Sequence, residues 1–84
     1  MINKKRIVKM EKLLEILNEL HPDVDFENNE SLIDDGILDS LDIVSLVTEI
    51  YAEFDVTIPA EEIVPENFNS AKALMALITK IDEE

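Results

Sequence analysis

The sequence predicts an all-α fold, a small antiparallel bundle of three main helices plus one short helix, with a long loop between helices 1 and 2. Three observations predict it. Apolar residues recur at three- and four-residue spacing in three separate stretches, as one face of an α-helix requires. No stretch alternates apolar and polar residues for long enough to build a sheet. The 84 residues are 46% hydrophobic and contain no cysteine, enough for one core without disulfides and too few for two domains.

In the first helix, Ile7, Met10, Leu13, Leu14, Leu17 and Leu20 make the apolar stripe, with Lys12, Glu15 and Glu19 mostly between them. His21-Pro22 ends it, because proline disfavours helical geometry in the residue before it. An acidic connection then runs to Asp39, studded with Val24, Phe26, Leu32, Ile33, Ile37 and Leu38, which are expected to anchor it to the core. A connection this long in a small domain is uncommon unless functional, and this one delivers the chain to Ser40.

The second helix is expected over Ser40 to Phe54, with Asp39 as N-cap and Asp42 placed to complement the helix dipole. Val56-Thr57-Ile58 reads as an extended connector. Pro59 suits the first turn of a short helix through Val64, which Pro65 ends. Asn69 or Ser70 caps the last helix, whose stripe is Ala71, Leu74, Leu77, Ile78 and Ile81.

The second helix has more apolar residues than one buried face needs. At about 100° per residue, Ile43, Leu46, Val47, Ile50 and Phe54 fall in one sector and form the core face. Leu41, Val44, Thr48 and Tyr51 make a second stripe, and Asp42, Glu49 and Glu53 lie on a third, acidic side. Geometry alone leaves open whether the second stripe packs under the loop or meets a partner.

Charge narrows the partners. Twenty acids against seven bases give a formal net charge of −13, which disfavours nucleic acid and anionic lipid surfaces and favours basic proteins. Five of the bases, Lys4, Lys5, Arg6, Lys9 and Lys12, precede residue 13. Residues 1–9 are therefore read as a basic extension or frayed helix start, and 10–84 as a single domain. The extension has neither a cleavage site nor an uninterrupted apolar region, so a targeting role is not expected, and no span is long enough to cross a bilayer.

Asp39-Ser40-Leu41 is the chemically informative tripeptide. It places a hydroxyl at a helix start, four residues after Gly36, the one glycine. Unpaired N–H groups and the positive end of the dipole favour an anion there. A catalytic serine needs a positioned base, yet the one histidine, His21, ends helix 1, and no Gly-x-Ser-x-Gly elbow is present. Taken alone, the tripeptide equally fits a serine that simply occupies the first helical position.

Asp23, Asp25, Glu27, Asn29, Ser31 and Asp34 imitate the oxygen spacing of a calcium loop. Asn28 stands where such a loop needs glycine, Asp34 replaces the long bidentate glutamate, and no helix follows at once. A solvated acidic loop, with at most weak divalent binding, is expected there, and no dedicated metal site. His21 reads as a cation or hydrogen-bond donor near a helix C-terminus.

The run Asp34-Asp35-Gly36-Ile37-Leu38-Asp39-Ser40-Leu41-Asp42-Ile43-Val44-Ser45-Leu46-Val47, together with the element order from about Met10 to Ile81, resembles the acyl carrier protein family. The resemblance implies that Ser40 carries a covalent 4'-phosphopantetheine arm, transferred from coenzyme A by a separate Mg²⁺-dependent phosphopantetheinyl transferase. The protein then supplies no catalysis of its own. The resemblance further implies that helix 2 recognises partners: Asp39, Leu41, Asp42, Val44, Thr48, Glu49, Tyr51 and Glu53 would meet the transferase and the acyl-loading or adenylating ligases, synthases and acyltransferases that present basic docking patches. A cytoplasmic monomer without stable membrane insertion is expected.

Departures from the family pattern bear on cargo. Fatty-acid carriers commonly read Asp-Ser-Leu-Asp-x-Val-Glu-Leu; here Ser45 takes the place of that glutamate, Tyr51 and Ala52 stand where acids are frequent, and Leu38 replaces a small residue. The first expectation is an acyl carrier for fatty acid, polyketide or related synthesis. The alternatives are a stand-alone aminoacyl, peptidyl or D-alanyl carrier, or an unmodified acidic adaptor binding a basic protein through Asp42, Glu49 and Glu53. D-alanyl carriers rank lower at this point, because they usually have phenylalanine where this chain has Leu41. The segment from Glu62 to Ser70 also looks like that of discrete carriers.

Overall fold

A computed structural model describes residues 4–83, with side chains from residue 9 onward. The elements run α1 (Lys4–Leu20), α2 (Ser40–Phe54), a 3₁₀ turn (Ala60–Glu62), α3 (Pro65–Phe68) and α4 (Ala71–Asp82). Among the described residues there is no strand. Helix α1 takes in the basic run from Lys4; residues 1–3 of the extension, and the side chain of Ile7 in the first stripe, lie outside what is described.

The core joins all four α-helices. From α1 come Leu13, Ile16 and Leu17, from α2 Leu46 and Ile50, from α3 Phe68, and from α4 Ala71, Leu74, Leu77 and Ile78. Helix α1 packs against both α2 and α4. The spacing of the first stripe omits Ile16, which is buried, whereas Met10, Leu14 and Leu20 are only partly covered. With both α2 and α4 against it, α1 buries a wider sector than a single stripe describes.

The loop is anchored as its apolar residues demand. Phe26, Leu32 and Leu38 are buried, and Val24, Ile33 and Ile37 pack against the core. The connector after α2 contributes Val56 and Ile58, whose alternation around exposed Thr57 is that of an extended segment with one face inward. Asp55 closes α2 in the left-handed region (φ 56°), its N–H donating to the Tyr51 carbonyl.

The short-helix expectation is corrected. Pro59 does not open a helix through Val64; it precedes a single 3₁₀ turn, Ala60–Glu62. Pro65 does not end a helix but begins α3, at the first helical position. Proline there forfeits no helical hydrogen bond and arrives with its φ preset, while Val64 is extended (φ −127°, ψ 153°), as a residue before proline must be. Ser70, not Asn69, caps α4: its side-chain oxygen accepts from Ala73 N–H at 3.0 Å.

Candidate functional site

The approach to Ser40 is built by a turn. Within it Asp35 N–H donates to the Ser31 carbonyl (2.8 Å), Gly36 N–H to Ile33 (3.0 Å) and Leu38 N–H to Leu32 (3.0 Å). Gly36 takes φ +72°, and a Cβ there would meet nothing within 4 Å, so glycine serves the backbone and not the space. The turn is tied to the rest of the bundle at Asn69, between α3 and α4.

Asp39 then starts α2 as a reciprocal cap. Its Oδ1 accepts from Asp42 N–H at 2.9 Å, and Asp42 Oδ2 accepts from Asp39 N–H at 3.1 Å. This is the capping-box arrangement with aspartate in both positions. Ser40 is the first helical residue and is exposed, so its hydroxyl is open to a second protein at the positive end of the dipole.

His21 completes the cluster: its Nε2 lies 2.8 Å from Asp42 Oδ2. That hydrogen bond is the leading cause that holds the Asp42 carboxyl below its ordinary range; burial opposes it, and the Asp39 N–H adds to it. The imidazole thus serves Asp42 and the helix start. The sequence marks His21 as a donor at a helix end but not its acceptor, since a pairing across the long loop leaves no local signature.

The second stripe of α2 faces outward. Leu41 is 77% exposed, Val44 63% and Tyr51 57%. Thr48 lies among them, its hydroxyl donating to the Val44 carbonyl at 3.0 Å. Leu41 and Val44 therefore do not pack under the loop. Of the acidic side, Asp42 is engaged by His21, Glu53 approaches Lys12 at 3.8 Å, and Glu49 is exposed.

The acidic loop is knit by two amides of its own and by one from outside it. Asn28 donates to Asp25, Ser31 N–H donates to Asn29 Oδ1, and Asn69 donates to Asp34. Among the described residues, no three His, Cys, Asp or Glu side chains converge as a metal site.

A family model described as a phosphopantetheine attachment site matches residues 10–81. The chain belongs to this family of phosphopantetheine-dependent carrier proteins. Its cofactor is 4'-phosphopantetheine, held covalently. Carriers of this family work with a phosphopantetheinyl transferase and with ligases or synthases. Among the described residues, no helix is long and apolar enough to cross a membrane.

Similar carriers include the aminoacyl carrier protein 1 of Bradyrhizobium diazoefficiens, 42% identical over 73 residues, 87% of this chain and 78% of that protein. The D-alanyl carrier protein of Streptococcus mutans is 35% identical over 71 residues, 83% of this chain and 90% of that one. The D-alanyl carrier protein of Streptococcus suis is 33% identical over 72 residues, covering 84% and 91%. These likenesses favour the aminoacyl or D-alanyl alternative over the fatty-acid or polyketide expectation, despite Leu41. One residue after the serine weighs less than agreement along the whole domain.

Proposed function

We propose that this carrier bears its arm on Ser40 and carries an aminoacyl group delivered by an adenylating ligase. The observation that carries the cargo assignment is the 42% identity to an aminoacyl carrier, and the D-alanyl relatives agree with it in chemical class. Helix α2 supports it: half-buried Ser45 and exposed Tyr51 and Ala52 stand where fatty-acid carriers commonly have acids.

Ser40 fits the arm. It is exposed, it follows a two-sided cap, and its turn is fixed at both ends. In the transfer, Ser40 Oγ forms a bond to the pantetheine-side phosphorus of coenzyme A while the bond between the two phosphates breaks. Adenosine bisphosphate leaves, and the hydroxyl proton passes to a base of the transferase. Asp39 and Asp42 hold the helix start still during this encounter. The arm, once bound, supplies the thiol that holds cargo as a thioester, in a chain that has no cysteine.

Leu41, Val44, Thr48 and Tyr51 form the face that partners grip, with Glu49 and Glu53 at its side. The large negative charge speeds encounter with basic surfaces without demanding tight binding, which suits a cytoplasmic carrier that leaves each enzyme in turn. The protein itself catalyses nothing. The test of cargo is to load the modified protein with an aminoacyl carrier-protein ligase, ATP and amino acids, in parallel with an acyl ligase and fatty acids. Aminoacylation alone supports the assignment; acylation alone overturns it in favour of fatty-acid chemistry.

A further inference from the structure

A hydrogen-bond hub sits at the junction of α3 and α4, outside the motif around Ser40. Asn69 Oδ1 accepts from the N–H groups of Ile33 (2.9 Å) and Asp34 (3.1 Å), and its Nδ2 donates to Asp34 Oδ2 (3.3 Å). Its backbone carbonyl accepts from Leu32 N–H at 2.9 Å. One residue thus holds three consecutive residues of the loop.

The backbone carries this hold toward Ser40. Gly36 N–H closes onto Ile33 and Leu38 N–H onto Leu32, so the residue before the N-cap is tied to residues that Asn69 fixes. Buried Leu32 and Leu38 set how deep the loop sits. Apolar burial is non-directional and does not set how the turn is rotated. The amide does, because it offers an acceptor to two N–H groups on one side and a donor to a carboxylate on the other.

We propose that Asn69 is a positioning residue for the modification of Ser40, acting through the turn from Leu32 to Leu38. The inference rests on Ser40 being the modified residue. Leucine and valine cannot replace the amide, and aspartate keeps the acceptor but sets a second carboxylate against Asp34. Exchanging both partners, Asn69→Asp with Asp34→Asn, restores one donor facing one carboxylate.

The test follows transferase kinetics by intact mass for wild type, Asn69→Ala, Asn69→Asp, the exchanged double variant and Ser70→Ala, with helicity checked by circular dichroism. Ser70→Ala removes the neighbouring cap of α4 and controls for general weakening. Misplacing the hydroxyl is expected to lower kcat/KM about tenfold or more in both Asn69 single variants, with Ser70→Ala within about twofold of wild type. The exchanged double variant regains most of the loss. Should Asn69→Ala fail to fold, Asn69→Asp and its exchange decide. Wild-type rates in folded Asn69 variants, equal slowing by Ser70→Ala, or no recovery in the exchange would overturn the proposal. A wild type that gains no mass instead removes the reading of Ser40, and the inference with it.

Discussion

His21 Nε2 is hydrogen-bonded to Asp42 Oδ2 at 2.8 Å, joining the exit of α1 to the first turn of α2 across the whole length of the loop. The same carboxylate oxygen accepts from Asp39 N–H, so a residue of α1's end helps to hold the cap beside Ser40. His21→Ala is expected to cost about 1 kcal/mol, since the bond has a charged acceptor but solvent reaches both side chains. Urea denaturation near neutral pH checks this.

Acid should erase Asp42's contribution. Its folded pKa lies below the unfolded value because the His21 hydrogen bond favours the charged form. The associated stability is therefore fully present above the unfolded aspartate value of about 3.9, and is lost as pH falls through the lower, folded one. The stability gap between wild type and Asp42→Asn should shrink as pH is lowered from about 5 to 3 in denaturation midpoints.

Gly36→Ala should destabilise by about 1 kcal/mol, entirely through the backbone, because φ is +72° and the added methyl meets nothing. Gly36→Asn should cost less, as asparagine tolerates the left-handed region better. Denaturation midpoints of the two variants decide, and equal costs would point to some cause other than φ.

The two sides of α2 should respond oppositely to truncation. Leu46 is fully buried, so Leu46→Ala is expected to cost about 2–5 kcal/mol, a large share of a small domain's stability. Val44, 63% exposed on the other stripe, should change stability by less than about 0.5 kcal/mol when truncated. Val44→Ala should instead weaken loading by the partner ligase, read as a raised KM for the carrier.

Periodicity made α2 legible in full, including its cap, its core face and the separate stripe of Leu41, Val44, Thr48 and Tyr51. Exposure of that stripe was not legible, because a central helix in a bundle can bury two sides, and only the path of the loop decides. Pro59 and Pro65 both mark boundaries. Pro59 precedes a helical turn as expected, though only a 3₁₀ turn as far as Glu62. Pro65 starts a helix where an ending was expected, since the same proline stops one helix or starts another. His21 with Asp42, and Asn69 with the turn, are long-range polar contacts. Hydrophobic spacing carries no information about them.

Intact mass after incubation with coenzyme A, Mg²⁺ and a broad-specificity phosphopantetheinyl transferase tests the assignment of Ser40 most directly. Wild type should gain one phosphopantetheinyl group and Ser40→Ala none. An unchanged wild-type mass, or the same gain in Ser40→Ala, would contradict it.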